Sequence, residues 1–90
     1  MEIKHDKDQE KFYLVESGKE SYAKYIMDDS KTINIIKVYV HPDLRNRGLA
    51  GKLAKAALEY AKENNLKVIP TCSYADYFIA KNKEYEDLMD

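Results

Sequence analysis

At His41-Pro42 the hydrophobic pattern of this chain changes period, and the change restricts the folds open to it. Thr32 to Val40 (TINIIKVYV) is an alternating, β-branched run. Leu49 to Asn64 (LAGKLAKAALEYAKEN) is alanine-rich, with Leu49, Leu53, Ala57 and Tyr60 at helical spacing. Pro42 cannot donate to a sheet ladder and restrains the residue before it, so the strand ends there. Lys67 to Thr71 (KVIPT) then reads as a short buried strand. Strand, helix and strand in that order predict a right-handed βαβ unit with its strands parallel. Simple alternation assigns Asn34, Ile36, Val38 and Val40 to one face of the first strand, and Ile33, Ile35, Lys37 and Tyr39 to the other. On the helix, Lys55 and Glu59 form an i,i+4 pair on the outer side, and Asn64-Asn65 closes it.

The segment before this unit reads as antiparallel strands. Lys11 to Glu16 (KFYLVE) and Ser21 to Met27 (SYAKYIM) are aromatic and β-branched, with a turn at Glu16-Ser17-Gly18-Lys19. Asp28-Asp29-Ser30-Lys31 is a second turn, and a short edge strand fits near Ile3. His5, in a polar run, is expected at the surface. Tyr74 to Asn82 predicts a second helix, followed by an acidic tail. The fold class is therefore α+β: a mixed sheet, an antiparallel meander first and a right-handed βαβ unit later, with a C-terminal helix. Ninety residues make one domain, spanning 1–90, at roughly 100–200 residues per domain.

Composition excludes several functions. One cysteine makes no internal disulfide, and two histidines with it assemble no Cys/His zinc cage, so no metal is expected. No apolar run approaches the roughly 20 residues of a membrane span, and MEIKHDKDQE has no signal-peptide core. A reduced, cytoplasmic, monomeric protein is the expectation. The net charge of -1 argues against a general nucleic-acid or membrane partner. That charge is unevenly placed: -3 over residues 1–30, +4 over 31–65 and -2 over 66–90. A basic middle between acidic ends suggests a local anionic ligand.

The anion would sit at Arg45-Asn46-Arg47-Gly48-Leu49-Ala50-Gly51-Lys52, after a strand and opening a helix. The first four N–H groups of a helix lack intrahelical partners, and the macrodipole adds positive charge there. Gly48 and Gly51 remove side chains that would obstruct those amides, while Arg45, Arg47 and Lys52 add formal charge. On physical grounds this is a phosphate or pyrophosphate cradle. A Walker A loop is excluded twice, by Asn46 at the first glycine and Leu53 at the magnesium-binding hydroxyl. A Rossmann fingerprint loses its first glycine to Asn46 as well.

Arg45-x-x-Gly48-x-Ala50 matches the Q/R-x-x-G-x-G/A motif of the GNAT acetyltransferase superfamily. The resemblance extends over His41-Pro42-Asp43-Leu44 and the alanine-rich helix. Val68-Ile69-Pro70-Thr71-Cys72-Ser73-Tyr74 resembles the small GNAT-like proteins of about this length, which are similar over nearly the whole chain. The resemblance implies a minimal acetyl-coenzyme A-dependent acyltransferase acting on an amine or protein acceptor. By the same likeness the coenzyme A contacts are Tyr39, Val40, residues Arg45 to Lys52 (Arg45, Asn46, Arg47, Gly48, Leu49, Ala50, Gly51, Lys52), Cys72, Tyr77 and Phe78. Cys72 would lie near the thioester and Tyr74 near the leaving thiolate, while His41 is the candidate base for an incoming ammonium. A full GNAT domain carries two helices between its first strands and a further C-terminal hairpin, absent here. A non-catalytic coenzyme A-binding module that takes its acceptor site from a partner is the alternative. Lys37 stands where related small proteins often carry a histidine, so no role of that histidine transfers.

Overall fold

The computed structural model describes residues 2–89. Five strands form one sheet in sequence order: β1 (Lys4–Asp6), β2 (Lys11–Glu16), β3 (Lys19–Asp29), β4 (Thr32–Tyr39) and β5 (Lys67–Pro70). The first three pairings are antiparallel and β4–β5 is parallel, as the crossover through helix α1 (Leu49–Glu63) requires. Helix α2 (Ser73–Lys81) follows β5. The predicted edge strand near Ile3 is β1. β3 starts earlier than expected because the β2–β3 connection is only Ser17-Gly18, both at positive φ (53° and 75°). That backbone suits a tight hairpin and matches the twist of the flanking strands.

One hydrophobic core joins the sheet to both helices. Phe12, Leu14, Ile33, Ile35 and Val68 from the sheet meet Leu53, Ala57, Leu58 and Ala61 of α1 and Ala75 and Ile79 of α2. Small alanines on the buried stripe of α1 let its backbone approach the sheet closely. Asn64 caps the helix, donating from Nδ2 to the Tyr60 carbonyl at 2.8 Å, and Asn65 takes a left-handed φ of 55°. Both helices lie on one face. The other sheet face carries no helix among the described residues and exposes Val15, Ile26 and Ile69.

Four expectations need correction. β4 does not alternate throughout: Tyr25 opposes Ile35 while Lys24 opposes Lys37, so Ile36 is an extra, bulged residue. The bulge reverses the phase, and Ile33, Ile35, Val38 and Val40 all turn toward the helices. His5 is not a surface residue. It stacks on Phe12 (ring centroids 4.0 Å apart), meets the Tyr60 ring edge-on and shares a 2.6 Å hydrogen bond with the buried Tyr25 hydroxyl. Burial holds its pKa below the ordinary value and pushes the Tyr25 phenol up to about 12. Glu59 does not sit on the outer side of α1, because it accepts a 2.6 Å hydrogen bond from Tyr85. The acidic tail is the 3-10 helix Lys83–Leu88, with Tyr85 buried in the core and Met89 bridging to Val68.

Candidate functional site

The parallel pairing of β4 with β5 ends at Ile35 opposite Pro70. Beyond the Ile36 bulge, β4 continues through Tyr39 while the chain after β5 turns away into α2. Cys72 secures the parting, its N–H donating to the Ile35 carbonyl at 2.9 Å. The outer edge of β4 after the bulge has no paired strand among the described residues. A bend at an extra residue is what lets two neighbouring strands splay.

The strand leads into a loop that its own backbone organises. His41 N–H donates to the buried Ser21 hydroxyl at 3.0 Å, and its Nδ1 accepts from Asp43 N–H at 3.1 Å. Pro42–Leu44 form a 3-10 turn that buries Leu44 in the core. Asn46 and Gly48 both take left-handed φ, 67° and 73°, which turns the chain sharply into α1. Gly48 is the N-cap, and no side chain among the described residues caps the helix. The first-turn N–H groups are thus left to an external acceptor, with the positive end of the helix dipole behind them.

These elements enclose a cleft of about 400 Å³. Val38, Val40 and Leu44 supply apolar wall from the sheet and loop; Arg45, Asn46, Gly48, Leu49, Ala50 and Gly51 form the helix side, and Tyr74 of α2 faces them. Eight of the residues named from sequence therefore converge here. Burial, more than the neighbouring Tyr77, raises the pKa of Tyr74, while Lys81 opposes the shift, so its hydroxyl holds a proton at neutral pH.

The other named residues stand elsewhere. Tyr39 points to the open face, where its ring lies 5.3 Å from that of Tyr22. Arg47 donates to Glu16 at the β2–β3 hairpin, which also contacts the loop through Lys19 and Asp43 at 3.3 Å. Lys52 is exposed at the end of the first turn. Cys72, the N-cap of α2, is half-buried and outside the cleft lining. Tyr77 is exposed with Lys81 over its ring, whereas Phe78 is half-buried, packed on the core and facing Gly51. The His41 imidazole is engaged in its own turn through Nδ1. Sequence reasoning missed Val38, disguised by the bulge, and Leu44, whose signal was a lone apolar residue in a polar loop.

The sequence profile of the GCN5-related N-acetyl-transferase family matches residues 11–88. Protein NATD1 of Danio rerio is 30% identical over 84 residues, covering 91% of this chain and 76% of the relative. Protein NATD1 of Xenopus tropicalis is 29% identical over 82 residues, covering 89% and 75%. Among solved structures, the NMR solution structure of a GCN5-like protein from Staphylococcus aureus superposes with a TM-score of 0.76 at 36% identity, over 99% of this chain and 87% of that one. Profile, relatives and fold agree, and the chain belongs to the GCN5-related N-acetyltransferase family.

Proposed function

We propose that the protein is an acetyl-coenzyme A-dependent N-acetyltransferase whose cleft between β4, α1 and Tyr74 takes the cofactor. The observation that carries this reading is the uncapped N-terminus of α1, opened by Gly48 and facing a cleft with a free strand edge. The donor set fits the group. Backbone N–H groups of residues 48–51 suit a pyrophosphate, Arg45 adds charge beside them, and the unpaired edge of β4 after Ile36 suits the amides of a pantetheine arm. Apolar Val38 and Val40 suit its methylene portions. No helix among the described residues is long and apolar enough to cross a membrane.

When bound, acetyl-coenzyme A supplies an activated acetyl thioester, whose transfer to an amine forms an amide and releases a thiol. The chain's part is to bind, orient and manage protons. The first turn of α1 anchors the anionic end, and the free edge of β4 aligns the arm. A β4 amide beyond the bulge is the candidate oxyanion donor. Tyr74 Oη carries the proton a departing thiolate needs. The amine surrenders its proton to solvent. Cys72 holds the parting of β4 and β5 through its backbone and leaves attack on the thioester direct. Replacing Cys72 by alanine should preserve most of the activity, whereas an acetyl-cysteine relay would lose it.

The test is a titration of labelled protein with acetyl-coenzyme A. Saturable amide shifts centred on Asn46 to Lys52 and Val38 to Val40 support the reading. Still amides at millimolar ligand overturn it. Amine-dependent release of coenzyme A then separates the enzyme from a binding module that borrows its acceptor site.

A further inference from the structure

One rung of the open sheet face consists of three lysines. Lys11 stands directly opposite Lys24, and Lys24 directly opposite Lys37. The next rung is Tyr13, Tyr22 and Tyr39, in the same strand order. Like charges directly across strands are destabilising, so packing gives no reason for the lysine rung. Part of its charge is answered internally: Lys11 Nζ lies 2.7 Å from Glu20, and Lys24 donates to the Gln9 carbonyl. Lys37 is exposed and has no acidic partner among the described residues. A cavity of about 310 Å³ opens here, lined by Lys11, Glu20, Tyr22, Lys24, Ile36 and Lys37.

The geometry selects among anions. Neighbouring strands lie about 4.8 Å apart, close to the roughly 5–6 Å between residues three or four apart on a helix. A helical segment with carboxylates at i, i+4 and i+7 therefore matches the rung. Single-stranded nucleic acid needs free ring faces for its bases. Those faces are occupied: Lys11 Nζ lies 5.1 Å over Tyr13, Lys37 Nζ 5.9 Å over Tyr39, and the Tyr22 and Tyr39 rings lie against each other. The tyrosines are half-buried.

We propose that this face docks an acidic helical segment of a protein partner, with carboxylates on the Lys11–Lys24–Lys37 rung and the tyrosine rung alongside. Lys37 shares its strand with Val38 and lies three residues before Val40, both of which line the cleft. A segment seated on the rung thus lies across the sheet from that cleft. That this segment carries the accepted amine rests on the acetyltransferase reading; the docking does not.

The experiment titrates labelled full chain at low salt with a blocked, alanine-based helical peptide bearing glutamates at i, i+4 and i+7. Its glutamine counterpart and an oligothymidylate of equal charge serve as comparisons. The glutamate peptide should shift amides around Lys11, Tyr22, Lys24 and Lys37 saturably, with the glutamine peptide about tenfold weaker, the order of two or three screened charge pairs. Lys24→Glu should lose about tenfold in peptide affinity, while the acetyl-coenzyme A shifts at Asn46 to Lys52 stay unchanged. Lys37→Gln gives the same direction should the first variant fold poorly. Equal binding of the glutamine peptide, still amides at millimolar glutamate peptide, or tighter binding of oligothymidylate would each overturn the proposal. Peptide binding without any acetyl-coenzyme A response would support the docking face and sink the acetyltransferase reading alone.

Discussion

Replacing Gly51 by alanine separates what the helix needs from what the cleft needs. Gly51 lies in the first turn of α1 and is half-buried. A Cβ built there would meet Phe78 Cε1 and Tyr74 Oη, each at 3.5 Å, which is ordinary contact rather than a clash. Glycine within a helix costs about 0.5–1 kcal/mol relative to alanine, so Gly51→Ala should stabilise the free protein by about that amount. For a chain of this size the melting temperature should rise by about 2–8 °C. The same methyl group enters the cleft wall opposite Tyr74. Crowding of a bound ligand typically costs about 1–3 kcal/mol, or about 5- to 150-fold in Kd. Thermal unfolding without ligand and calorimetric titration with coenzyme A read the two effects separately. A lower melting temperature would refute the packing argument. A raised melting temperature with unchanged Kd would refute the placement of the ligand.

Gly48→Ala tests the other glycine: at φ 73° with nothing within 4 Å, its cost is conformational, about 1–2 kcal/mol by urea unfolding, and Gly48→Asn should recover part of it. Burial, with Lys7 helping and Asp6 opposing, makes His5 harder to protonate folded than unfolded. The unfolded chain therefore binds more protons just below pH 6.5, and stability should fall as pH drops through that value and level off below the folded pKa. His5→Phe should flatten the slope in urea titrations between pH 5 and 7.5. Tyr85→Phe removes the 2.6 Å hydrogen bond to Glu59 and should cost about 1.5 kcal/mol by the same measurement, with early exchange of the Lys83–Leu88 amides. Deleting Ile36 leaves Tyr25 opposite Ile35 and Lys24 opposite Lys37 in an unbroken ladder. The fold should survive by circular dichroism while coenzyme A binding is lost, and retained binding would refute the bulge's role.

The helix, the loop and the crossover were legible because each is written in local chemistry. Alanine content and spacing mark α1, Pro42 marks the strand exit, and Gly48 with Gly51 marks the uncapped turn. What escaped is what a single segment cannot encode. Periodicity within Thr32–Tyr39 carries no trace of β3, yet the bulge exists only as a mismatch between the two strands. His5 looks polar among its neighbours, and only the pairing of β1 with β2 brings it onto Phe12. The C-terminal residues look like a solvated tail because their charges outnumber Tyr85, which is buried, and Leu88 and Met89, which pack against the core.

The bulge also explains why one short strand can serve two faces. Without a phase change, the face of Ile33 and Ile35 would continue as Lys37 and Tyr39, and the helices would have to cover a lysine. Burying that ammonium without a partner would cost several kcal/mol. Ile36 absorbs one residue, so Val38 and Val40 floor the cleft while Lys37 and Tyr39 join the rungs of the open face. Parallel pairing with β5 stops at the adjacent residue, Ile35. A single inserted position thus stands where the pairing ends and sorts apolar from charged side chains on either side of it. Cleft and lysine rung are consequently fixed relative to each other by one segment of backbone.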